Sequence, residues 1–144
     1  MDTYETLNEL LVRLFRDIMD LEQQAIITSE FKDITNNDMH VIEAIGIREP
    51  KNMSAIAKEL SVTVGTLTIS MNSLVKKGYV IRERGSEDRR VVYISLSEKG
   101  KAAYDHHARF HRDMIDGAIG QMEPEEVEAF VKALTKLNAW FRSL

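Results

Sequence analysis

The chain has 144 residues, 44% apolar and 29% charged, with a formal net charge of −4. That length supports one real core, and the mix is globular rather than disordered. The absence of cysteine excludes disulfides, thiolate metal sites and thiol-based redox sensing. No apolar run approaches the roughly 18 residues of a membrane span. The acidic, amphipathic start is not a signal-peptide pattern, so the cytoplasm is the expected address.

Leu7, Leu10, Leu11, Leu14, Phe15, Ile18 and Leu21 recur at helical spacing, which predicts an amphipathic helix over 4–27. Asn36, Asn37 and Asp38 supply cap chemistry for a second helix, with Met39, Ile42, Ile45 and Gly46 following on one face. Pro50 breaks the chain. Ser54 then opens a short helix through Leu60, with Ile56, Ala57 and Leu60 turned inward. Thr63 is the predicted N-cap of a helix over 64–77. Val64, Leu67, Met71 and Leu74 line one side of it. Gly65, Thr68, Ile69, Asn72 and Lys76 lie opposite, with Thr66 at the edge. Gly78 is the expected left-handed stop.

Tyr79-Val80-Ile81 and Val91-Val92-Tyr93-Ile94 are β-branched and aromatic, the composition of paired strands. Ser97 caps a long helix toward Gln121, bearing Tyr104, Phe110, Met114, Ile115 and Ala118. Pro124 suits the first turn of a last helix, whose apolar set includes Val127, Phe130, Leu134, Trp140 and Phe141.

The predicted class is mainly α with a small β-hairpin wing: a winged helix-turn-helix with a helical dimerisation region drawn from both termini. A single domain over 1–144 is expected, with 34–100 as its DNA-binding lobe and 1–30 and 101–144 as dimerisation helices. Those terminal helices carry more apolar surface than one small winged domain needs. Pairing with a second copy absorbs the surplus and supplies two reading heads.

The negative total charge conceals a local reversal. Residues 1–50 hold eleven acids against four Lys/Arg, whereas residues 76–101 hold eight bases against four acids. Positive charge thus sits beside the helix suited to a DNA groove, where it can neutralise phosphates. A groove-entering helix needs little bulk in its first turns and short donors and acceptors. Gly65, Thr66, Thr68 and Asn72, behind the cap Thr63, meet that need. Threonine can bond a phosphate or touch a thymine methyl, and asparagine can pair with adenine. A threonine-bearing face alone is ordinarily just solvated. Here Lys76, Lys77 and the adjoining hairpin favour DNA. The hairpin tip carries Arg84, Arg89 and Arg90, which can lie along the backbone or enter a narrow minor groove. Asp88 beside them repels phosphate unless it holds an arginine in position.

Four histidines are candidate metal ligands. His107 and His111 stand four apart on one helix face, a spacing that can hold zinc or nickel, with His40 as a third. No HExxH-type motif or cysteine accompanies them, so His106, His107 and His111 are expected to be interface or surface polar residues. Metal remains the alternative. No glycine-rich phosphate loop, nucleophile elbow or paired acid–base constellation appears, so an enzyme is not expected.

The wing motif Asp88-Arg89-Arg90 running through Leu96-Ser97-Glu98-Lys99-Gly100 resembles that of the MarR-type winged-helix transcription regulators. Leu74-Val75-Lys76-Lys77-Gly78 resembles that family's end of the recognition helix. Within the family, the chain is most similar to repressors of bacterial type II fatty-acid synthesis. That likeness rests on Phe31-Lys32-Asp33-Ile34, Met39-His40, Val62 through Thr68, Lys77-Gly78-Tyr79 and Arg109-Phe110-His111. The resemblance implies a homodimer on a pseudo-palindromic operator, with long-chain acyl-acyl carrier protein as co-repressor and no required cofactor. It further implies Arg90 in the minor groove, oriented by Asp88, and Gly65, Thr66, Thr68 and Asn72 facing the major groove. An acyl chain would lie between the N-terminal helices and the long helix after the wing. A MarR-type regulator answering to a metal or another small molecule is the alternative reading.

Overall fold

The structure, a computed structural model, describes residues 2–144. Its elements are α1 (Thr3–Ile27), α2 (Asn36–Ile45), β1 (Lys51–Asn52), α3 (Met53–Leu60), α4 (Val64–Lys76), β2 (Val80–Arg84), β3 (Val92–Leu96), α5 (Glu98–Ile119) and α6 (Pro124–Arg142). The chain divides into two compact units, one ending at Ala108 and the other spanning Arg109–Leu144.

Caps set the helix starts, and two of them differ from the sequence reading. Helix α2 is capped by Thr35, whose hydroxyl accepts from the Asp38 amide at 3.0 Å while Asp38 Oδ2 accepts from the Thr35 amide at 3.1 Å. This reciprocal capping box satisfies two otherwise orphaned donors, so Thr35 is favoured over Asn36 as the cap. In α3 the Asn52 side chain accepts from the Ala55 amide at 2.8 Å, which starts the helix at Met53 rather than Ser54. Thr63 caps α4 as expected, accepting from the Thr66 amide at 3.1 Å. The turn after α4 is left-handed at Gly78, with φ +89°.

The hairpin is part of a three-stranded antiparallel sheet of order β1-β3-β2. Lys51 pairs with Ile94, and β2 runs against β3 from Val80↔Leu96 to Arg84↔Val92. Strand β2 extends past Ile81 because Arg82, Glu83 and Arg84 continue the ladder on exposed positions, and β3 starts at Val92 and runs on to Leu96.

Within the first unit, Leu67, Met71 and Leu74 of α4 reach a core shared with Ile42 of α2, Ile56 of α3 and Ile94 of β3. These residues are 2% exposed or less, which fixes the roll of α4 and turns its polar side outward. Val64 departs from the expected inner row and is exposed. Gly100 lies so close to Tyr79 that a Cβ there would meet the Tyr79 carbonyl oxygen at 2.1 Å, which seats the start of α5 against the turn leading into β2.

In the second unit α6 begins with Pro124 at its first turn and a capping box between Glu123 and Glu126, and none of its residues is buried. Val131, Trp140 and Phe141 are each more than half exposed, as are Leu7, Leu10, Leu14 and Phe15 on α1.

Candidate nucleic-acid interface

The threonine hydroxyls at the start of α4 have defined roles. The Thr63 hydroxyl caps the helix and also donates to Thr66 Oγ1 at 2.9 Å. Because Thr66 accepts that bond, its own O–H remains available to an outside acceptor. Thr68 donates its hydroxyl to the Val64 carbonyl at 2.8 Å, leaving lone pairs and a methyl group to face outward. Gly65 is exposed and adds no bulk between them. Ile69, which the sequence placed on this side without a role, is 75% exposed, an apolar tip suited to a thymine methyl.

Asn72 is oriented by a residue the sequence reading passed over. Arg82 Nη1 donates to Asn72 Oδ1 at 2.7 Å, from β2 across to α4. Arginine can only donate, so the amide oxygen faces Arg82 and the NH2 group faces away. Bidentate pairing with adenine needs that oxygen as an acceptor. The Arg82 bond takes one of the two lone pairs of that oxygen, so Asn72 still offers DNA an acceptor beside its NH2 donor. The bond thus orients the amide without removing either half of the expected adenine pairing. The signal was missed because the predicted strand stopped at Ile81.

The two lysines behind the helix differ. Lys76 is exposed. Lys77 donates to the Asp33 carbonyl at 2.6 Å and lies 4.0 Å from Asp38, so it braces the loop after α1 and is a weaker phosphate candidate than Lys76. Asp33 joins a larger brace. Its carboxylate accepts from the Tyr79 hydroxyl in a short hydrogen bond, and Lys99 Nζ stands 3.8 Å from it and 4.3 Å above the Tyr79 ring. The Tyr79 bond, with Lys99 and Lys77 nearby, holds the Asp33 carboxyl below its ordinary range. Burial and the Asp33 carboxylate push the Tyr79 phenol well above its ordinary value. This brace ties the end of α4 to the body of its unit.

At the wing tip the Asp88 carboxylate grips Arg90 in a fork: Arg90 Nε donates to Oδ1 at 3.1 Å and Nη2 to Oδ2 at 3.0 Å. The Arg90 amide also donates to Oδ1, at 3.0 Å. These bonds hold the Asp88 carboxyl below its usual range and keep the guanidinium more firmly protonated. Arg90 is 91% exposed, and a guanidinium has five N–H donors, so the grip orients the group without exhausting it. Arg84 Nη1 donates to the Arg89 carbonyl at 3.2 Å, closing the tip, and the Arg89 side chain is exposed. The expected pairing of Asp88 with Arg90 is thus present. Thr66, Asn72, Lys76 and Arg90 form the outward polar set of one helix and its adjoining wing, the shape that fits a major groove and the backbone or minor groove beside it.

The histidines are elsewhere. His107 is 1% exposed, so it is not a surface residue, and it pairs closely with Glu43. His40 is half exposed and contacts Glu22 at 3.3 Å. His106 stacks edge-on against Phe31, and His111 edge-on against Phe110.

Comparison with known proteins agrees with this geometry. A model of the MarR family matches residues 34–92. The crystal structure of Streptococcus pneumoniae FabT in complex with DNA is 38% identical and covers 97% of this chain and 98% of its own, with a TM-score of 0.93. A MepR variant of S. aureus bound to an oligodeoxyribonucleotide shares the fold at 22% identity and TM-score 0.64, covering 98% of this chain and 99% of its own. The HTH-type transcriptional regulator YwhA of Bacillus subtilis is 33% identical over 57% of this chain, a match that spans 59% of that relative's length. No helix among the described residues is long and apolar enough to cross a membrane. Winged fold, exposed reading helix, forked arginine and near full-length likeness together place the chain in the MarR family of transcription regulators, proteins that are not enzymes.

Proposed function

We propose that this regulator is a homodimeric repressor of fatty-acid biosynthesis genes, reading a pseudo-palindromic operator with long-chain acyl-acyl carrier protein as co-repressor. The observation that carries this reading is the 38% identity to S. pneumoniae FabT across 97% of the chain, well above the 22% shared with MepR. In this reading Gly65 lets α4 approach the major groove. Thr66, Thr68 and Asn72 face the groove, and Lys76 neutralises a phosphate. Arg90, held by Asp88, enters the minor groove, with Arg84 and Arg89 along the backbone. Residues 34–100 act as the reading lobe, and 1–30 and 101–144 as the dimerisation helices. The exposed apolar rows of α1 and α6 support the dimer, since a lone chain would leave Phe15, Trp140 and Phe141 in water.

The experiment is a gel-shift titration on the promoter of a fatty-acid biosynthesis gene, with added acyl carrier protein either acylated by a long chain or unacylated. The acylated form is expected to tighten binding several-fold, and the unacylated form to leave it unchanged. Equal affinity in both arms would remove the co-repressor while leaving DNA binding intact.

A further inference from the structure

Burial along α4 sorts its residues onto two faces. Leu67, Met71 and Leu74 are buried, whereas Gly65, Ile69, Asn72 and Lys76 are among the exposed residues. Those four recur at the helical spacing i, i+4, i+7 and i+11, so they form a single line down the outward face. Three of them are small or polar. Ile69 is the exception, and it is 75% exposed. Among the described large apolar residues only Tyr4 and Leu144, near the chain ends, are more exposed. An isolated surface isoleucine is ordinary. This one sits midway along the face proposed to enter DNA, between Gly65 and the asparagine held by Arg82.

Its surroundings leave the side chain clear. A helical side chain covers the turn before its own Cα, which for Ile69 is the turn of Gly65. A Cβ at Gly65 would meet nothing nearer than the Thr63 hydroxyl oxygen at 3.9 Å, so no neighbour crowds that space. Branching at Cβ holds an isoleucine in one strongly preferred rotamer within a helix, so its methyl groups have a fixed position and little freedom left to lose on contact. In the major groove the thymine 5-methyl is the apolar group on a base edge, while the other bases present donors and acceptors. Against those bases Ile69 would displace water from polar groups and offer them no partner, which is unfavourable. The side chain therefore selects thymine and disfavours the alternatives. Asn72 follows three residues on, about 4.5 Å along the helix axis. That is close to the roughly 3.4 Å between successive bases, so the two side chains are spaced to reach neighbouring base pairs.

We propose that Ile69 is a specificity-determining residue that packs on the methyl group of a thymine in each operator half-site, in or beside the base pair that Asn72 meets. This inference rests on the reading in which α4 enters the major groove. It holds whichever genes the operator controls and whatever effector the protein answers to.

The test begins with the full wild-type chain and a pool of random-sequence duplexes, from which the bound sequence is enriched. Each thymine of that duplex is then replaced in both half-sites by deoxyuridine, which removes the methyl and keeps every hydrogen-bonding group. Wild type and Ile69→Ala are titrated against the whole set. One methyl packed on an apolar side chain is worth about fourfold in affinity, and one in each half-site about fifteenfold. At one thymine position wild type should lose about that fifteenfold factor, whereas Ile69→Ala should lose less than about twofold there and respond as wild type does elsewhere. Ile69 lies outside the core and alanine is the better helix former, so the variant should fold, with an unchanged far-ultraviolet circular dichroism spectrum. The proposal is overturned if no deoxyuridine replacement weakens wild type by more than about twofold, or if Ile69→Ala keeps the full methyl dependence. Failure to enrich any sequence would instead overturn the reading of α4 as a groove helix, and this inference with it.

Discussion

The Asn72–Arg82 bond makes a prediction about the amide donor that Asn72 turns away from Arg82. In the free protein, Arg82 holds Asn72 Oδ1 at 2.7 Å, so Nδ2 points outward. Replacing Asn72 with Asp keeps the acceptor for Arg82 and turns the outgoing donor into a carboxylate oxygen. Losing one hydrogen bond to DNA removes about 1 kcal/mol. A two-fold dimer doubles this to about 2 kcal/mol, or roughly thirtyfold in affinity, before the repulsion between carboxylate and phosphate is added. Asn72→Ala should approach that thirtyfold loss, and Asn72→Asp should exceed it. Fluorescence anisotropy with labelled operator at one fixed salt concentration measures both. If Asn72→Asp binds within twofold of wild type, Asn72 does not donate to DNA and the orientation argument fails. If Arg82→Ala leaves the operator preference unchanged, Arg82 has no part in setting Asn72.

Three further predictions rest on the same lobe. Arg90→Ala should lower operator affinity and reduce the slope of log affinity against log salt by about 0.9 for each phosphate that Arg90 neutralises; an unchanged slope would remove the wing tip from the backbone. Tyr79→Phe should lower stability by about 1.5 kcal/mol in urea unfolding, since it removes a hydrogen bond to a carboxylate that stays partly hydrated. Its pH dependence carries a sign. The raised Tyr79 phenol contributes stability that is present below its unfolded value near 10 and lost as pH climbs above it. The lowered Asp33 carboxyl contributes stability that is present above about 4 and lost as pH falls below it. Tyr79→Phe should therefore flatten both limbs, and a variant as pH-sensitive as wild type would contradict the pairing. Gly100→Ala should destabilise by about 1–3 kcal/mol in the same assay, because the new methyl meets the Tyr79 carbonyl oxygen; a neutral result would mean that α5 can move off the strand entry freely.

The reading lobe was legible because its signals are local. The α4 cap, the Leu67–Met71–Leu74 row, the Gly78 stop and the Asp88–Arg90 tip each lie within a few residues of what they govern. Strand β1 was not, since two residues after Pro50 carry no periodicity and only their pairing with Ile94 and Tyr93 makes them a strand. Arg82 fell outside the predicted strand, so nothing pointed to its grip on Asn72. Glu22 reads as one more acid on an acidic helix, and Glu43 as another on the next. Their meeting with His40 and His107 is a product of the tertiary fold, as is the burial that makes His107 more than a surface histidine. Local chemistry announced the surface that reads; burial of charge shows only once distant helices are packed.

The central claim is that α4 and the wing read a specific DNA sequence, and it is tested most directly by titrating the protein against its operator and a scrambled duplex at two salt concentrations. The operator is expected to bind at least about a thousandfold more tightly than the scrambled duplex, with both affinities falling as salt rises. Equal affinity for the two duplexes, or binding indifferent to salt, would contradict the account.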